Sequence, residues 1–453
     1  MDKGLVAMTH VCHGWRELLI ARPSLWTRLN CENTDKTRVY IERSKSLPLH
    51  ISLHEGWSVH YLEDAFLLVV PHISRLRSLS IDGRPNVVEN ITPYISCPTP
   101  LLRELTIKSI CRSTPVVLEG TLFNGDLSSL RELTLDKVIT HLPWKNLSQL
   151  TNFTLSRVPR GTISITQFLD FFTNAHRLRD IQLNDSIPTV SNAPPGRVVS
   201  LPCLESLVIS AGATHSALLN HLSIPVGASL LQRFCFHGDD SPLPDFLPKS
   251  VGNLKNVSSI TSVNLYLDVA QKRVRLDGPS GRLCMDGYWT DIRDTTTSDF
   301  EGRVLRSLSY FVLSGTQRLA IAAYQPPKVD ETDESAPYYI LLRMDDLCTL
   351  TLNQCNNLPF IFALNPVQTR SKRTLCPKLE ELILYIRDPE FFNNRELMTM
   401  AKERASAGKK LSSITIVGPS RLMPRKSIFD LTKYGTSVHY RVGEMPTIVL
   451  KMG

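Results

Sequence analysis

The sequence predicts an α/β solenoid, in which a curved parallel sheet is built from short strands joined by helical or irregular returns. A pattern of the form L-x-x-L-x-L, with apolar substitutions, recurs along most of the 453 residues. Successive early copies are 20 to 28 residues apart, which is a period typical of stacked repeats. Apolar residues at helical spacing occupy several of the segments between the copies. Because each unit buries its apolar face only against its neighbours, several copies are needed for stability.

Each copy places two alternating apolar side chains on one face of a short strand, and a third enters the same interior from the preceding turn. The first seven copies are Leu76/Leu79/Ile81, Leu102/Leu105/Ile107, Leu130/Leu133/Leu135, Leu150/Phe153/Leu155, Leu178/Ile181/Leu183, Leu204/Leu207/Ile209 and Leu231/Phe234/Phe236. The later copies are Ile260/Val263/Leu265, Leu347/Leu350/Leu352, Leu379/Leu382/Leu384 and Leu411/Ile414/Ile416. Pattern and period resemble a leucine-rich repeat. Cys355 occupies the Asn/Cys position of that consensus, whereas Val138 and Val158 replace it elsewhere, so the array is a degenerate one.

The segments between copies predict helices where their apolar residues recur at helical spacing, at about 62–73, 165–175, 300–308 and 397–401. The repeat is interrupted between about residues 266 and 340. There, residues 274–285 predict two strands around a Gly-Pro-Ser-Gly turn, which we interpret as a β-hairpin insertion. Residues 186–200 and 326–338 are rich in proline and polar residues and predict exposed loops.

The N-terminus predicts a single amphipathic helix that ends before Pro23, because the residue before a proline is pushed out of the helical region. Its apolar stripe recurs at three- and four-residue steps and comprises Leu5, Met8, Val11, Cys12, Trp15, Leu18 and Leu19. Trp26 adds a second large aromatic residue just after the helix.

These residues resemble the C-terminal half of an F-box, especially in fungal F-box proteins that carry degenerate leucine-rich repeats. In that family the F-box is a small helical module that docks on the Skp adaptor of a Skp–cullin–F-box ubiquitin ligase. The resemblance covers about residues 5–30, and the family's first helix, of the Leu-Pro-x-Glu type, lies outside the match. It implies roles in adaptor binding or in packing of the module, without dividing the two, for Val11, Cys12, Trp15, Leu18, Pro23, Leu25 and Trp26.

We therefore expect a short helical F-box remnant at 1–30 and a connecting and N-terminal capping segment at 31–75. A leucine-rich-repeat-like solenoid is expected at 76–441, with the hairpin and loop insertion at about 266–340. The function that follows is a protein-interaction adaptor, whose repeats hold a protein substrate of unknown identity. Because the F-box match is partial, the chain is expected to bind the adaptor weakly or not at all. A stand-alone repeat scaffold without a ligase role, in which the N-terminal helix caps the first repeat, stays open as the alternative.

Composition narrows the classes of function. The net charge of +8 is dispersed over the chain and aromatic residues make up only 7%, which disfavours a nucleic-acid-binding protein. Ten scattered cysteines without a C-x-x-C pair, and an N-terminus unlike a signal peptide, indicate a reducing compartment, cytoplasmic or nuclear. No apolar run is longer than the six residues 65–70, so no membrane span is expected.

Motifs for catalysis are missing from the sequence: it contains no G-x-G-x-x-G, G-x-x-x-x-G-K-[ST], H-E-x-x-H or G-x-S-x-G. His10 and His13 with Cys12 do not supply the four ligands that zinc requires. We therefore expect no enzyme activity, no cofactor and no metal.

Overall fold

The computed structural model describes residues 2–31, 33–54, 59–110, 115–118, 122–125, 127–140, 147–159, 162–186, 196–210, 215–237, 252–268, 273–290, 315–324, 335–353, 355, 357–367, 374–387, 392–419, 430–434 and 437–442. The chain divides into two compact units, residues 1–210 and 211–453. Each unit combines helices with a mostly parallel β-sheet.

Unit 1 (residues 1–210) begins with helices and continues with strands separated by returns. Its described helices are α1 (Asp2–Met8), α2 (His13–Ile20), α3 (Thr34–Ser44), α4 (Val59–Leu67), α5 (Pro85–Ile91) and α6 (Ile165–Asn174). Its described strands are β1 (Arg28–Leu29), β2 (Leu49–His54), β3 (Leu76–Gly83), β4 (Glu104–Ser109), β5 (Val116–Leu118), β6 (Glu132–Asp136), β7 (Val138–Thr140), β8 (Asn152–Ser156), β9 (Asp180–Asn184), β10 (Val199–Ser200) and β11 (Ser206–Ser210).

The main sheet of unit 1 is parallel in every described pairing and has the order β1-β2-β3-β4-β6-β8-β9-β11. Corresponding residues of successive copies stand side by side; Leu105 of β4, for example, is opposite Leu133 of β6. One face of the strands is buried and the other is half-exposed, as the alternating pattern predicts. The short strands β5 and β7 form a second parallel pair.

Unit 2 (residues 211–453) has a similar composition of elements. Its described helices are α7 (His215–Leu219), α8 (Lys255–Ser258), α9 (Ser335–Leu341), α10 (Leu358–Leu364) and α11 (Asn394–Ser406). Its described strands are β12 (Leu222–Ser223), β13 (Ser229–His237), β14 (Ser262–Asp268), β15 (Arg273–Asp277), β16 (Leu283–Thr290), β17 (Arg318–Tyr324), β18 (Thr349–Asn353), β19 (Glu381–Tyr385), β20 (Ser413–Gly418) and β21 (Ser437–Val442).

The sheet of unit 2 has the order β13-β16-β15-β14-β17-β18-β19-β20-β21, and β15 runs antiparallel to its two neighbours. The predicted hairpin is confirmed, since β15 and β16 pair antiparallel around Gly278 to Gly281. It is inserted into the sheet between β13 and β14. Arg273 pairs with Asp286 through two nitrogens, and Nε of Arg275 donates to both carboxylate oxygens of Asp277.

Ten of the eleven predicted copies of L-x-x-L-x-L bury all three apolar side chains. The exception is the copy predicted to begin at Leu231, where the prediction of the first buried residue is wrong. Strand β13 buries Leu230 instead and leaves Leu231 half-exposed. An extended strand that begins at Ser229 alternates strictly, so Leu230 shares the buried face with Phe234. The sheet also starts before the first predicted copy, since β2 buries Leu49, Ile51 and Leu53.

The prediction of one continuous N-terminal helix is wrong. The chain leaves the helical conformation after Met8, and Cys12 is extended, with φ −159° and ψ 167°, before α2 begins. The hydroxyl of Thr9 donates to the carbonyl of Val6 at 2.6 Å, a local bond that competes with continuation of the helix.

The helices predicted near residues 62–73, 165–175 and 397–401 correspond to α4 with a following 3₁₀ turn at Val70–Arg75, α6 and α11. The helix predicted at 300–308 lies outside the described residues, as do most of the two predicted loops at 186–200 and 326–338.

Candidate partner-binding surface at the N-terminus

Helix α2 is short, and the residues that flank it mark both of its ends. Cys12 occupies the N-cap position without a side-chain hydrogen bond to the helix. At the other end, the backbone N–H of Ala21 donates to the carbonyl of Glu17 at 2.9 Å, and Pro23 then begins a 3₁₀ helix at Pro23–Trp26. Proline is favoured at such a first position because it has no backbone N–H, and an N–H at that position would have no partner within the helix.

Trp26 anchors this segment to the rest of unit 1. Only 1% of the residue is exposed, and its indole Nε1 donates to the carbonyl of Leu19 at 2.9 Å. Its ring meets Tyr40 edge-on, with centroids 5.0 Å apart, and the guanidinium of Arg43 lies 4.4 Å from its centroid. Trp26 therefore fixes the end of α2 on α3, and cannot itself form part of a docking surface.

Trp15, by contrast, is 50% exposed, and Leu18, one helical turn later, is 58% exposed. Residues three apart share a face of a helix, so the two side chains form one apolar strip on α2. Val11, just before the helix, and Leu25, just after it, are exposed as well. Large apolar side chains concentrated on one exposed element are a mark of an interaction surface.

The structure thus divides the predicted site residues by exposure. Four apolar residues, Val11, Trp15, Leu18 and Leu25, face solvent, and the free thiol of Cys12 is also exposed. Pro23 is half-buried and Trp26 is buried. We refer to the set Val11, Trp15, Leu18 and Leu25 as the α2 surface.

Charged residues in and just after α2 are exposed beside this surface. Arg16 and Arg22 are exposed, and the imidazole Nε2 of His13 lies 4.0 Å from the carboxylate of Glu17. An apolar strip with exposed arginines suits a partner that has both apolar and acidic residues.

Sequence reasoning missed the residues that hold Trp26, namely Tyr40 and Arg43 of α3. Their only signal was their spacing, since residues three apart lie on the same face of a helix. Cys31 also belongs to the core, with 1% of the residue exposed. Burial raises the pKa of its thiol to about 12, partly offset by a hydrogen bond with Thr37.

A second candidate surface is the open face of the unit 1 sheet. Its middle row is a line of hydroxyl side chains that stand opposite one another on neighbouring strands: Ser52, Ser80, Thr106, Thr134 and Thr154. This face is polar, whereas the opposite face carries the apolar repeat residues.

Within the parts of the chain that the structure describes, no group of three or more His, Cys, Asp or Glu side chains is placed to hold a metal ion. In the same parts, no helix combines the length and the apolar character needed to cross a bilayer. The thiol of Cys355 lies 3.6 Å from the side-chain oxygen of Asn357.

The sequence matches no known family model, and no curated protein is significantly similar to it.

Proposed function

We propose that this chain is a protein-interaction adaptor: an F-box-like segment at about residues 5–30 binds a Skp-type adaptor, and a leucine-rich-repeat-like solenoid holds a protein substrate for ubiquitylation. In this role the chain binds and positions, and does no chemistry itself. The compartment that suits such a role is cytoplasmic or nuclear.

The observation that carries the proposal is the exposure of Trp15 and Leu18 in a segment that Trp26 holds in place. A helix that only caps the first repeat buries its apolar side against that repeat. In α2 the single buried residue is Leu19, whereas Trp15 and Leu18 are exposed to solvent. An anchored helix with an exposed apolar strip is preorganised for a partner, which lowers the cost of binding.

The repeat part of the proposal is supported by the parallel pairing of successive copies in unit 1. Each strand begins where the preceding one begins, so that Glu104, Glu132, Asn152 and Asp180 form one row across the sheet. Such a row presents corresponding residues of every copy on a common face, where a substrate can contact several repeats at once.

A stand-alone scaffold is the second candidate, and one contact favours it. The segment after α2 joins the sheet directly, since β1 pairs with β2 and the N–H of His50 donates to the carbonyl of Thr27 at 2.8 Å. The N-terminus could therefore serve the fold as an end cap.

The test is binding of the chain to a Skp adaptor, measured by co-purification and calorimetry. We expect Trp15→Ala to abolish binding or weaken it by roughly tenfold or more, since exposed tryptophan is the residue type most enriched at interface hot spots. Ile110→Ala is the matched control, because Ile110 is an equally exposed apolar residue of unit 1 outside the α2 surface.

Trp26→Ala separates docking from folding. This variant is expected to lose binding together with stability, whereas Trp15→Ala keeps the circular dichroism spectrum and unfolding midpoint of the wild type. Unchanged affinity in Trp15→Ala would refute the proposed docking surface. If the wild-type chain does not bind a Skp adaptor, the stand-alone scaffold is the remaining function.

A further inference from the structure

Arginine recurs at the start of four strands of the unit 1 sheet, as Arg77, Arg103, Arg131 and Arg179. A backbone ladder aligns these positions: the N–H of Arg103 donates to the carbonyl of Arg77, and that of Arg131 to Arg103, each at 2.8 Å. Neighbouring members of the row are therefore about one strand spacing apart, ~4.8 Å.

Strand β8 interrupts this row. Thr151 occupies the position of the arginines, and the ladder passes through it, from Arg131 to Arg179, with hydrogen bonds of 2.8 Å. Because threonine is much shorter than arginine, the neighbouring side chains enclose a groove of about 600 Å³. Its basic residues are Arg131, Arg177 and Arg179.

The acidic residues of the groove do not neutralise all of its arginines. Asp180 accepts a hydrogen bond from the amide of Asn152 at 3.1 Å, and Glu205 lies 3.5 Å from Arg179. Arg177 donates to the neutral side-chain oxygen of Gln149 at 2.7 Å. Among the described residues, Arg131 and Arg177 have no carboxylate within ion-pair distance.

We propose that this groove binds an acidic peptide segment of a partner protein, whose carboxylates lie between Arg131 and Arg177. The inference deepens the proposed function and rests on it, since it assigns a substrate class to the repeats. A guanidinium group pairs with a carboxylate through two parallel hydrogen bonds, so two unneutralised arginines in one groove favour such a ligand. A nucleic-acid backbone is disfavoured because it needs a continuous basic surface, and Thr151 interrupts the row of arginines.

The first test is fluorescence anisotropy with the full chain at low salt and a fluorescein-labelled (Glu-Ser)₄ peptide as the probe. Arg131→Gln/Arg177→Gln is expected to weaken binding roughly tenfold, since the substitutions remove two exposed ion pairs with the peptide. Arg343→Gln/Arg395→Gln is the matched control, because both residues are exposed and lie outside the groove, and the two substitutions remove the same charge. Equal affinities of the two double variants would overturn the proposal, as would equal binding of a (Gln-Ser)₄ peptide.

Glu205→Gln is expected to strengthen peptide binding, a change that misfolding of the variant would not produce. Removal of this carboxylate frees Arg179, so the (Glu-Ser)₄ peptide should bind a few-fold more tightly. Unchanged or weaker binding by a folded Glu205→Gln variant would contradict a ligand of carboxylate chemistry in this groove.

The second test locates the peptide. Cys203 lines the groove and is exposed, as are Cys12 and Cys97 elsewhere in unit 1. Saturating (Glu-Ser)₄ should slow alkylation of Cys203 by iodoacetamide at least a few-fold and leave Cys12 and Cys97 unchanged, as read by mass spectrometry. Equal rates at Cys203 with and without peptide would overturn the assignment of the groove.

Adaptor binding, measured on the same proteins, distinguishes this inference from the proposed function. If the chain binds the adaptor but not the peptide, only the proposed role of the groove is refuted. If the chain binds the peptide but not the adaptor, the role of the groove is supported and the ligase role is refuted.

Discussion

Helices α6 and α2 are both amphipathic, but α6 buries its apolar side within the fold, whereas α2 leaves most of its apolar side exposed to solvent. Helix α6 buries Ile165, Phe168, Leu169, Phe171 and Phe172. The ring of Phe171 meets Phe153 of β8 at a tilt, with centroids 4.6 Å apart, and the ring of Phe168 meets it edge-on at 6.4 Å. Helix α2 buries Leu19 and exposes Trp15 and Leu18. A helical stripe thus predicts a buried face, but whether this chain or a partner buries it depends on what packs opposite.

The N-termini of the two helices also differ, since α6 has a side-chain cap and α2 has none. Ser164 and Gln167 form a capping box on α6: the Gln167 N–H donates to the Ser164 hydroxyl at 3.3 Å, and the Ser164 N–H donates to the Gln167 side chain at 2.9 Å. Cys12 makes no such bond to α2. Helix α6 is therefore stabilised by both its cap and its core contacts, while α2 depends on its connection to Trp26.

The largest effect that tests this comparison is on stability. Phe168→Ala should lower the free energy of unfolding by about 3–5 kcal/mol, because it removes a fully buried ring from the aromatic cluster and leaves a cavity. Trp15→Ala should change it by no more than about 0.5 kcal/mol, as an exposed residue. Urea unfolding followed by circular dichroism measures both. Similar losses in the two variants would mean that α2 is packed as α6 is.

A smaller effect concerns the caps. Ser164→Ala should destabilise α6 by about 1 kcal/mol, since the N-cap hydroxyl satisfies a helix N–H. Cys12→Ser should stabilise α2 by up to about 1 kcal/mol, because serine is a preferred N-cap and cysteine makes no capping bond here. Hydrogen exchange of the amides in the first turn of each helix reports both changes. Faster exchange in α2 of Cys12→Ser would show that its start is not limited by the missing cap.

The smallest effect is a dependence of stability on pH through His50 of β2. Burial lowers the pKa of His50 below its usual 6.5, and Arg28 and Arg77 lower it further, against an opposing effect of Glu104. The folded state therefore favours the neutral imidazole. Its contribution to stability is complete above pH 6.5 and is lost as the pH falls through the lowered pKa. NMR titration of His50 should give a midpoint below 6.5. A midpoint above 6.5 would contradict this sign.

The strands of the fold could be predicted from the sequence because their signal is local. Leu133 and Leu135 alternate onto one face in any extended chain, and the next copy repeats the pattern. The error at Leu231 arose because a strand that starts earlier changes which residue of the triplet is buried. The break at Thr9 to Cys12 was missed because apolar spacing alone does not register a local hydrogen bond that competes with the helix.

The candidate site could be predicted as a segment, but not as a surface. Trp15 and Trp26 are the same residue type within one short motif, and the residues that bury Trp26 are Tyr40 and Arg43 of the following helix. The arginine row is similar. The sequence shows an arginine at the corresponding position of several copies of the pattern. The groove at Thr151, however, exists only because parallel pairing brings residues 131, 151 and 179 side by side.

By itself, then, the sequence determined the repeated apolar triplets, most of the strands and the helical character of α6 and α11, because period and chain stiffness act over a few residues. Tertiary structure decided which apolar side chains are left exposed, which tryptophan anchors the N-terminal segment, and where arginines remain without carboxylates. Those properties depend on contacts between residues that are distant in sequence, and burial and charge pairing are set only when such residues meet.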